Sequence, residues 1–265
     1  MPARDDETLK AQVRDHWDRE PCGTRGLNEH TEPDPRRRQR QAEAERYAVD
    51  AHIPGFAGFA GAAGLRVLEI GVGAGTDFVQ WLRFGAQAVG VDLSPNSLAE
   101  TRARVAAEGF PAADLRVADA EHLPFPADSF DLVYSYGVLH HSPDTPRAIQ
   151  EVLRVLKPGG EARLMVYHVP SWTGFLLWAV HGAARLRPWL SPRKAIHDHL
   201  ESPGTKAYTL PEAEALMRGF VDVRVETALL AGDLLAMRPS ARYQGPLHRL
   251  AWAVSPRGLI RRFGA

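Results

Sequence analysis

The chain of 265 residues has a single cysteine, Cys22. It can therefore form no intrachain disulfide, no cysteine-rich zinc site and no Cys-x-x-Cys redox pair, and burial as a small hydrophobe is the expected role of that side chain. Net charge is also missing: 32 Lys and Arg balance 32 Asp and Glu, so nothing at whole-chain level steers the protein to nucleic acid or an anionic surface. Lysine is scarce, with only Lys10, Lys157, Lys194 and Lys206, a compositional bias toward arginine that decides no chemistry. Long apolar runs are absent too. The longest, residues 172–180, has nine residues and stops at His181, whereas a bilayer span needs about 20. The first residues, Met-Pro-Ala-Arg-Asp-Asp-Glu-Thr, lack the basic-then-apolar order of a secretory leader. A cytoplasmic protein with no integral membrane segment is expected.

Forty-five per cent apolar and 24% charged residues describe an ordinary globular chain. Residues 1–55 are polar and punctuated by Pro21, Pro33, Pro35 and Pro54, with helices expected around 5–19 and 36–52. The run Arg36-Arg-Arg-Gln-Arg40 reads as a solvated helix face, countered by Glu43 and Glu45. From residue 56 to 169, apolar runs at 66–70, 88–93, 115–118, 130–134 and 162–167 alternate with helix-like segments. That rhythm predicts βαβ units and a parallel sheet buried on both faces. Residues 170–208 are aromatic and irregular, with Trp172, Phe175, Leu176, Trp178 and Trp189, and read as an inserted cap whose aromatics either line an acceptor pocket or pack the cap. In 209–265, Thr209-Leu-Pro-Glu opens a helix, Val221–Glu226 alternates like a strand, and the tail with Trp252, Arg261 and Arg262 ends in a last strand around 258–263. This region is expected to complete the sheet.

The chemistry lies at strand ends. Arg66-Val-Leu-Glu-Ile breaks into Gly71-Val-Gly-Ala-Gly-Thr-Asp before a helix starts at Phe78. Glycines at 71, 73 and 75 permit a tight turn against which a nucleotide-like ligand can lie, and the helix start offers free N–H groups. The dinucleotide fingerprint Gly-x-Gly-x-x-Gly fails at Thr76 in one frame and at Phe78 in the other. The next strand ends in Asp92, 21 positions after Gly71, placed either to accept from both hydroxyls of a ribose or to cap the following helix with Ser94. Asp119 and Glu121 end the third strand, able to meet an exocyclic amine or to serve as ordinary loop acids. His140 and His141 follow the fourth, at the end where open α/β sheets bind ligands. Either of them can act as a base, or both can simply shape the loop. Asp144 with Pro146 reads as a helix start, and no metal-ligand set is recognised.

In order, Val67-Leu-Glu-Ile-Gly-Val-Gly-Ala-Gly, Gly90-Val-Asp-Leu-Ser, Asp119-Ala-Glu-His-Leu-Pro-Phe, Ser129-Phe-Asp-Leu-Val-Tyr-Ser, Gly137-Val-Leu-His-His and Arg154-Val-Leu-Lys-Pro-Gly-Gly resemble class I S-adenosylmethionine-dependent methyltransferases of the ubiquinone/menaquinone-biosynthesis-like branch (methyltransferase type 11). The resemblance implies a Rossmann-like α/β sheet of seven strands in the order 3-2-1-4-5-7-6, with strand 7 antiparallel, an N-terminal helical lid and a cap after strand 5. It implies S-adenosylmethionine as cofactor, with Glu69, Gly71, Gly73 and Gly75 around its methionyl part, Asp92 and Leu93 at the ribose, and Asp119 with Ala120 at the adenine. Trp17, in His16-Trp-Asp-Arg-Glu-Pro-Cys-Gly, belongs either to the lid over the cofactor or to a packed core. Relatives with an acid-assisted histidine carry an acid on strand five, where this chain has Leu164-Met-Val-Tyr-His168; Tyr167 there and Tyr208 further on are expected to meet the acceptor. The expected acceptor is a small, moderately apolar molecule (natural product, sugar or lipid-like), methylated on oxygen, nitrogen or activated carbon. A prenylated quinone ring methylated at a membrane surface, with peripheral contact, is the alternative, and a non-catalytic cofactor-binding partner protein is another. Nucleic acid is not an expected partner: no Asn/Asp-Pro-Pro-aromatic motif follows strand four, where Ser135-Tyr-Gly-Val stands. The protein is expected to be a monomer or homodimer.

Overall fold

A computed structural model describes residues 2–24 and 30–230, with 233, 245, 246, 249, 250, 253, 258 and 260 beyond them. The chain divides into two compact units, Met1–Val166 and Tyr167–Ala265.

The first unit is built on a parallel sheet of β1 (Arg66–Ile70), β2 (Gln87–Asp92), β3 (Asp114–Val117), β4 (Phe130–Tyr136) and β5 (Leu156–Met165), ordered β3-β2-β1-β4-β5. Before it stand helices α1 (Pro2–Arg19), α2 (Pro35–Val49) and α3 (Ile53–Ala57). Crossovers are α4 (Phe78–Arg83), α5 (Pro95–Ala107) and α6 (Thr145–Val155). Asp34, Ser94 and Asp144 cap α2, α5 and α6 with their side chains, each ahead of a proline in the first turn, the arrangement in which the missing proline N–H costs nothing. From β1 the chain winds outward through β2 to β3, then returns to β4 on the other side of β1. The strand order therefore reverses at β1, and the carboxyl end of the sheet beside it is the topological switch point at which open α/β sheets bind ligands. Beneath it Phe59, Phe78, Trp81, Leu132 and Tyr134 are almost wholly buried.

β5 begins six residues earlier than the sequence suggests. Its register against β4 shifts between Phe130↔Leu156 and Leu132↔Glu161, an irregularity that absorbs Pro158-Gly-Gly. The Arg36–Arg40 run is not merely solvated: Arg36 and Arg40 both reach the carboxylate of Glu108, the C-cap residue of α5.

In the second unit the segment expected to be irregular forms α7 (Trp172–His181), a 3-10 turn (Ala183–Arg185) and α8 (Pro192–His199), followed by α9 (Leu210–Leu216). Ser171 and Ser191 cap the first two helices, and α9 opens on a reciprocal capping box between Thr209 and Glu212. Val169, Leu177, Ala195, Ile196 and Ala207 form the buried cluster. Two expectations fail among the described residues. Val221–Glu226 is not a strand: the segment is irregular, Val221 is 86% exposed, and Asp222 has a left-handed φ of 54° that interrupts extension. Alternation needs a neighbouring strand to become a sheet, and none pairs with it here. Five strands are described rather than seven, so the order of strands 6 and 7 and the antiparallel strand 7 have no counterpart. Of the expected last strand, positions 258 and 260 are helical, and the rest of 258–263, like Trp252, Arg261 and Arg262, lies outside the described residues.

Candidate functional site

The loop between β1 and α4 is held from every side by the protein itself. Gly71, Gly73 and Gly75 have φ of 81°, 52° and 74°, which only glycine adopts freely. A Cβ on Gly71 would lie 2.2 Å from a Val138 methyl, one on Gly73 2.8 Å from the Cys22 carbonyl oxygen, and one on Gly75 2.9 Å from the Thr101 side chain. The space left by each missing side chain is thus filled by protein rather than kept for a ligand. The amides are committed as well. Gly71 donates to Val91 O, Ala74 to Cys22 O, Gly75 to Val72 O, and Gly73 to Asp92 Oδ2 at 3.0 Å. These four lie in the loop itself, ahead of the helix start at Phe78 where free N–H groups were expected. On the carbonyl side, Thr101 Oγ1 donates to Gly73 O and the buried Arg104 Nε to Ala74 O, both at 2.9 Å.

Carboxylates surround this loop. Asp77 is compensated by Arg46, Tyr47 and Tyr134, which all bond its oxygens. Glu69 and Asp92 are not: neither has an ion-pair partner among the described residues. Glu69 is 3% exposed and accepts from Trp81 Nε1 at 2.8 Å. Burial, then the charge of Asp77, pushes its pKa well above the ordinary carboxylate value. Asp92, half-buried, is also pushed up by burial, against the opposing amide bonds of Ser94, Gly73 and Leu93. The capping role considered for Asp92 falls to Ser94 alone, whose Oγ accepts from Ser97 N. A loop with four amides already bonded, beside two acids without an ion-pair partner among the described residues, suits a positively charged ligand.

Asp119 and Glu121 are held by Lys10 of α1, whose Nζ lies 2.6 and 2.8 Å from their oxygens. Burial disfavours the ammonium, but these bonds hold the Lys10 pKa above its ordinary value. Glu121 also accepts from Ser142 Oγ and from Asp144 N, tying the histidine-bearing turn to the end of β3; burial notwithstanding, these bonds keep its pKa low. Donor atoms of Asp119, Glu121 and His122 lie close enough to hold a metal, but the Lys10 ammonium already bridges the two acids. Ala120, between them, is half-buried, as is Leu93.

His140 and His141 occupy a 3-10 turn, Leu139–His141, with exposures of 0% and 4% and ring centroids 4.2 Å apart. Trp17 stands edge-on to His141 at 5.3 Å. Just beyond it Asp18 accepts from Ser94 Oγ and Asn96 N, so the last turn of α1 is fastened beside the end of β2, while the Cys22 carbonyl fastens the residues after α1 beside the end of β1. Cys22 is exposed rather than buried, and its carbonyl accepts from Ala74 N. In the second unit, Tyr208 N donates a backbone hydrogen bond to Tyr167 O, and the Tyr167 hydroxyl donates to Glu201.

The structure thus gathers Trp17, Glu69, the three glycines, Asp92, Asp119, His140 and His141 within the first unit. Lys10, Asp18, Asp77, Thr101 and Arg104 carry no motif signal, and the sequence reading missed them. Only the fold gives them their partners.

Residues 68–164 match the methyltransferase domain family. The methyltransferase GfsG of Streptomyces halstedii is 40% identical over 101 residues, 37% of this chain and 36% of the relative. The ubiquinone biosynthesis O-methyltransferase of Bradyrhizobium sp. is 37% identical over 130 residues, 48% of this chain and 49% of the relative. The matches therefore span about a third to a half of these curated relatives. In fold, the chain is similar to one in the complex between the Haloferax volcanii Trm112 methyltransferase activator and its methyltransferase, with TM-score 0.52, 18% identity and 91% of each chain covered.

Proposed function

We propose that this chain, whose residues 68–164 belong to the methyltransferase domain family, binds S-adenosylmethionine and transfers its methyl group to oxygen, nitrogen or activated carbon of a small, moderately apolar acceptor. One observation carries the reading: Glu69 and Asp92, two acids with no ion-pair partner among the described residues, flank a glycine loop in which the amides of Gly71, Gly73, Ala74 and Gly75 are already bonded. A dinucleotide brings two phosphates and would need those amides. A sulfonium with an amino group brings the missing positive charge.

When bound, the cofactor supplies a methyl carbon made electrophilic by its sulfonium. Glu69 and the glycine loop would hold the methionyl part, Asp92 and Leu93 the ribose, and Asp119 with Ala120 the adenine. Each Asp92 oxygen accepts an amide bond and keeps a lone pair for a hydroxyl. Trp17, edge-on to His141, keeps water from the reacting atoms, where proximity and desolvation accelerate the transfer. As the acceptor's nucleophilic atom gains the methyl group, its proton leaves to His140 or His141, the imidazoles nearest the glycine loop through Val138. The name of the Bradyrhizobium relative, a ubiquinone biosynthesis O-methyltransferase, supports an oxygen on an apolar ring as the methyl acceptor.

Calorimetric titration with S-adenosylmethionine and with NADH tests the assignment. Binding of the former in the micromolar range, weakened about tenfold or more by Asp92→Ala, with no heat from NADH, is expected. Heat from NADH alone, or from neither, overturns the assignment.

A further inference from the structure

One face of the second unit combines apolar exposure with unpaired positive charge. Helix α7 carries no Asp, Glu, Lys or Arg in its ten residues. Its inner side, with Leu177 and Val180 buried, faces α8, where a Cβ on Gly174 would touch Ile196 Cδ1 at 3.0 Å. Its outer side is apolar too. Phe175 and Ala179, one turn apart on the helix, are exposed, Phe175 at 46%; past the helix end, the 3-10 turn and its C-cap carry exposed Ala183 and Leu186, the latter at 83%. Three residues on, Trp189 is 76% exposed. The loop that presents it is formed, since Trp178 Nε1 donates to Pro188 O and Arg187 N to Gly182 O.

Two details set this exposure apart among the described residues. Leu186 sits at φ 58°, a left-handed conformation that costs a branched side chain on the order of 1 kcal/mol, and it gains no burial in return. The charges flanking it are of one sign. No Asp or Glu stands between Glu161 and Asp198. Lys194 and Arg193 have partners in Asp198 and Glu212, but Arg185 and Arg187, on either side of Leu186, make no ion pair among the described residues.

We propose that the stripe Phe175–Leu186–Trp189, framed by Arg185 and Arg187, docks this protein onto an anionic lipid bilayer. The chemistry is that of an interfacial segment: apolar side chains enter the headgroup boundary, the indole settles at that depth, and the guanidinium groups pair with lipid phosphates. A neutral protein surface would leave the two guanidinium groups unpaired, and nucleic acid would make no use of the apolar stripe. No helix among the described residues is long and apolar enough to cross a membrane, so the contact is peripheral.

The test is flotation of the full chain with vesicles of phosphatidylcholine alone or mixed with phosphatidylglycerol, at low and high salt. Co-flotation with the phosphatidylglycerol vesicles only, reduced by salt, is expected. Arg185→Gln and Arg187→Gln each weaken partitioning about fivefold; Trp189→Ser and Leu186→Ser weaken it as well, with unchanged thermal melts since all four side chains are exposed. Equal flotation with both vesicle types, no flotation, variants indistinguishable from the parent, or a stable dimer abolished by Trp189→Ser in the absence of lipid would each overturn the proposal. It stands apart from the methyl-transfer reading, because S-adenosylmethionine titration of the same samples reports on the first unit alone.

Discussion

Lys10 reaches across 109 positions of sequence to place its ammonium 2.6 Å from Oδ2 of Asp119, and its other hydrogen bond goes to Glu121 at 2.8 Å. That one side chain fastens α1 to the end of β3 and, through Glu121, to the histidine turn. Lys10→Met is expected to lower stability by about 1–3 kcal/mol, because it leaves Glu121 buried with less compensation. Urea unfolding measures the loss. Limited proteolysis should cut α1 faster in the variant, and equal cutting rates would show that the bridge does not hold the helix.

Glu69 is predicted to respond in opposite directions to two measurements. Its folded pKa is raised, so the stability it contributes is present below the ordinary carboxylate value and is lost as pH rises toward the folded one. Glu69→Gln keeps an acceptor for Trp81 Nε1 and removes the buried charge. The variant should therefore be at least as stable as the parent at neutral pH, while its S-adenosylmethionine affinity falls about tenfold or more. A parallel fall in both would mean that Glu69 is structural.

Gly71 and Val138 are packed too closely for a methyl group between them. Gly71→Ala should destabilise by about 2–4 kcal/mol through the left-handed φ and the collision together. Adding Val138→Ala should recover part of the collision, since the Val138 Cβ alone would still lie 2.9 Å from the new methyl group, and should leave the backbone part. A double-mutant cycle in urea separates the two, and strict additivity would contradict the contact.

Acid should loosen the α2–α5 junction. Glu108 accepts from Arg40 and Arg83; despite burial, which opposes ionisation, these bonds bring its pKa down to about 2 from an ordinary 4.5. A depressed pKa gives stability that is full above the unfolded value and lost as pH falls between about 4.5 and about 2. Urea midpoints measured at points through that window should drop steeply in the parent and less steeply in Glu108→Gln.

The residues that were legible in advance share a property: their partners are near in sequence or set by strand periodicity. β1 was delimited to the residue because its apolar run is bounded by Leu65 and the glycines, and Asp92 stood out because a strand end after a glycine turn has one place to go in a doubly wound sheet. Lys10 and Arg104 were invisible because a lone cation on a helix has no pattern; only the fold gives them partners. Cys22 was misjudged because composition rewards burial of cysteine, whereas here the residue is exposed and its carbonyl accepts from Ala74 N. Val221–Glu226 shows the reverse failure, a correct local alternation with no neighbouring strand to use it.

None of the bonds that hold the glycine loop needs a ligand. Asp92, Thr101, Arg104 and the Cys22 carbonyl fix its backbone during folding, so its conformational entropy is lost then and not at binding. A cofactor meeting such a wall should bind with little ordering cost from the loop itself. On the proposed reading, in which Trp17 covers the reacting atoms, the rate of escape is set by the residues around Trp17, and residence time and affinity are expected to be properties of different parts of the chain.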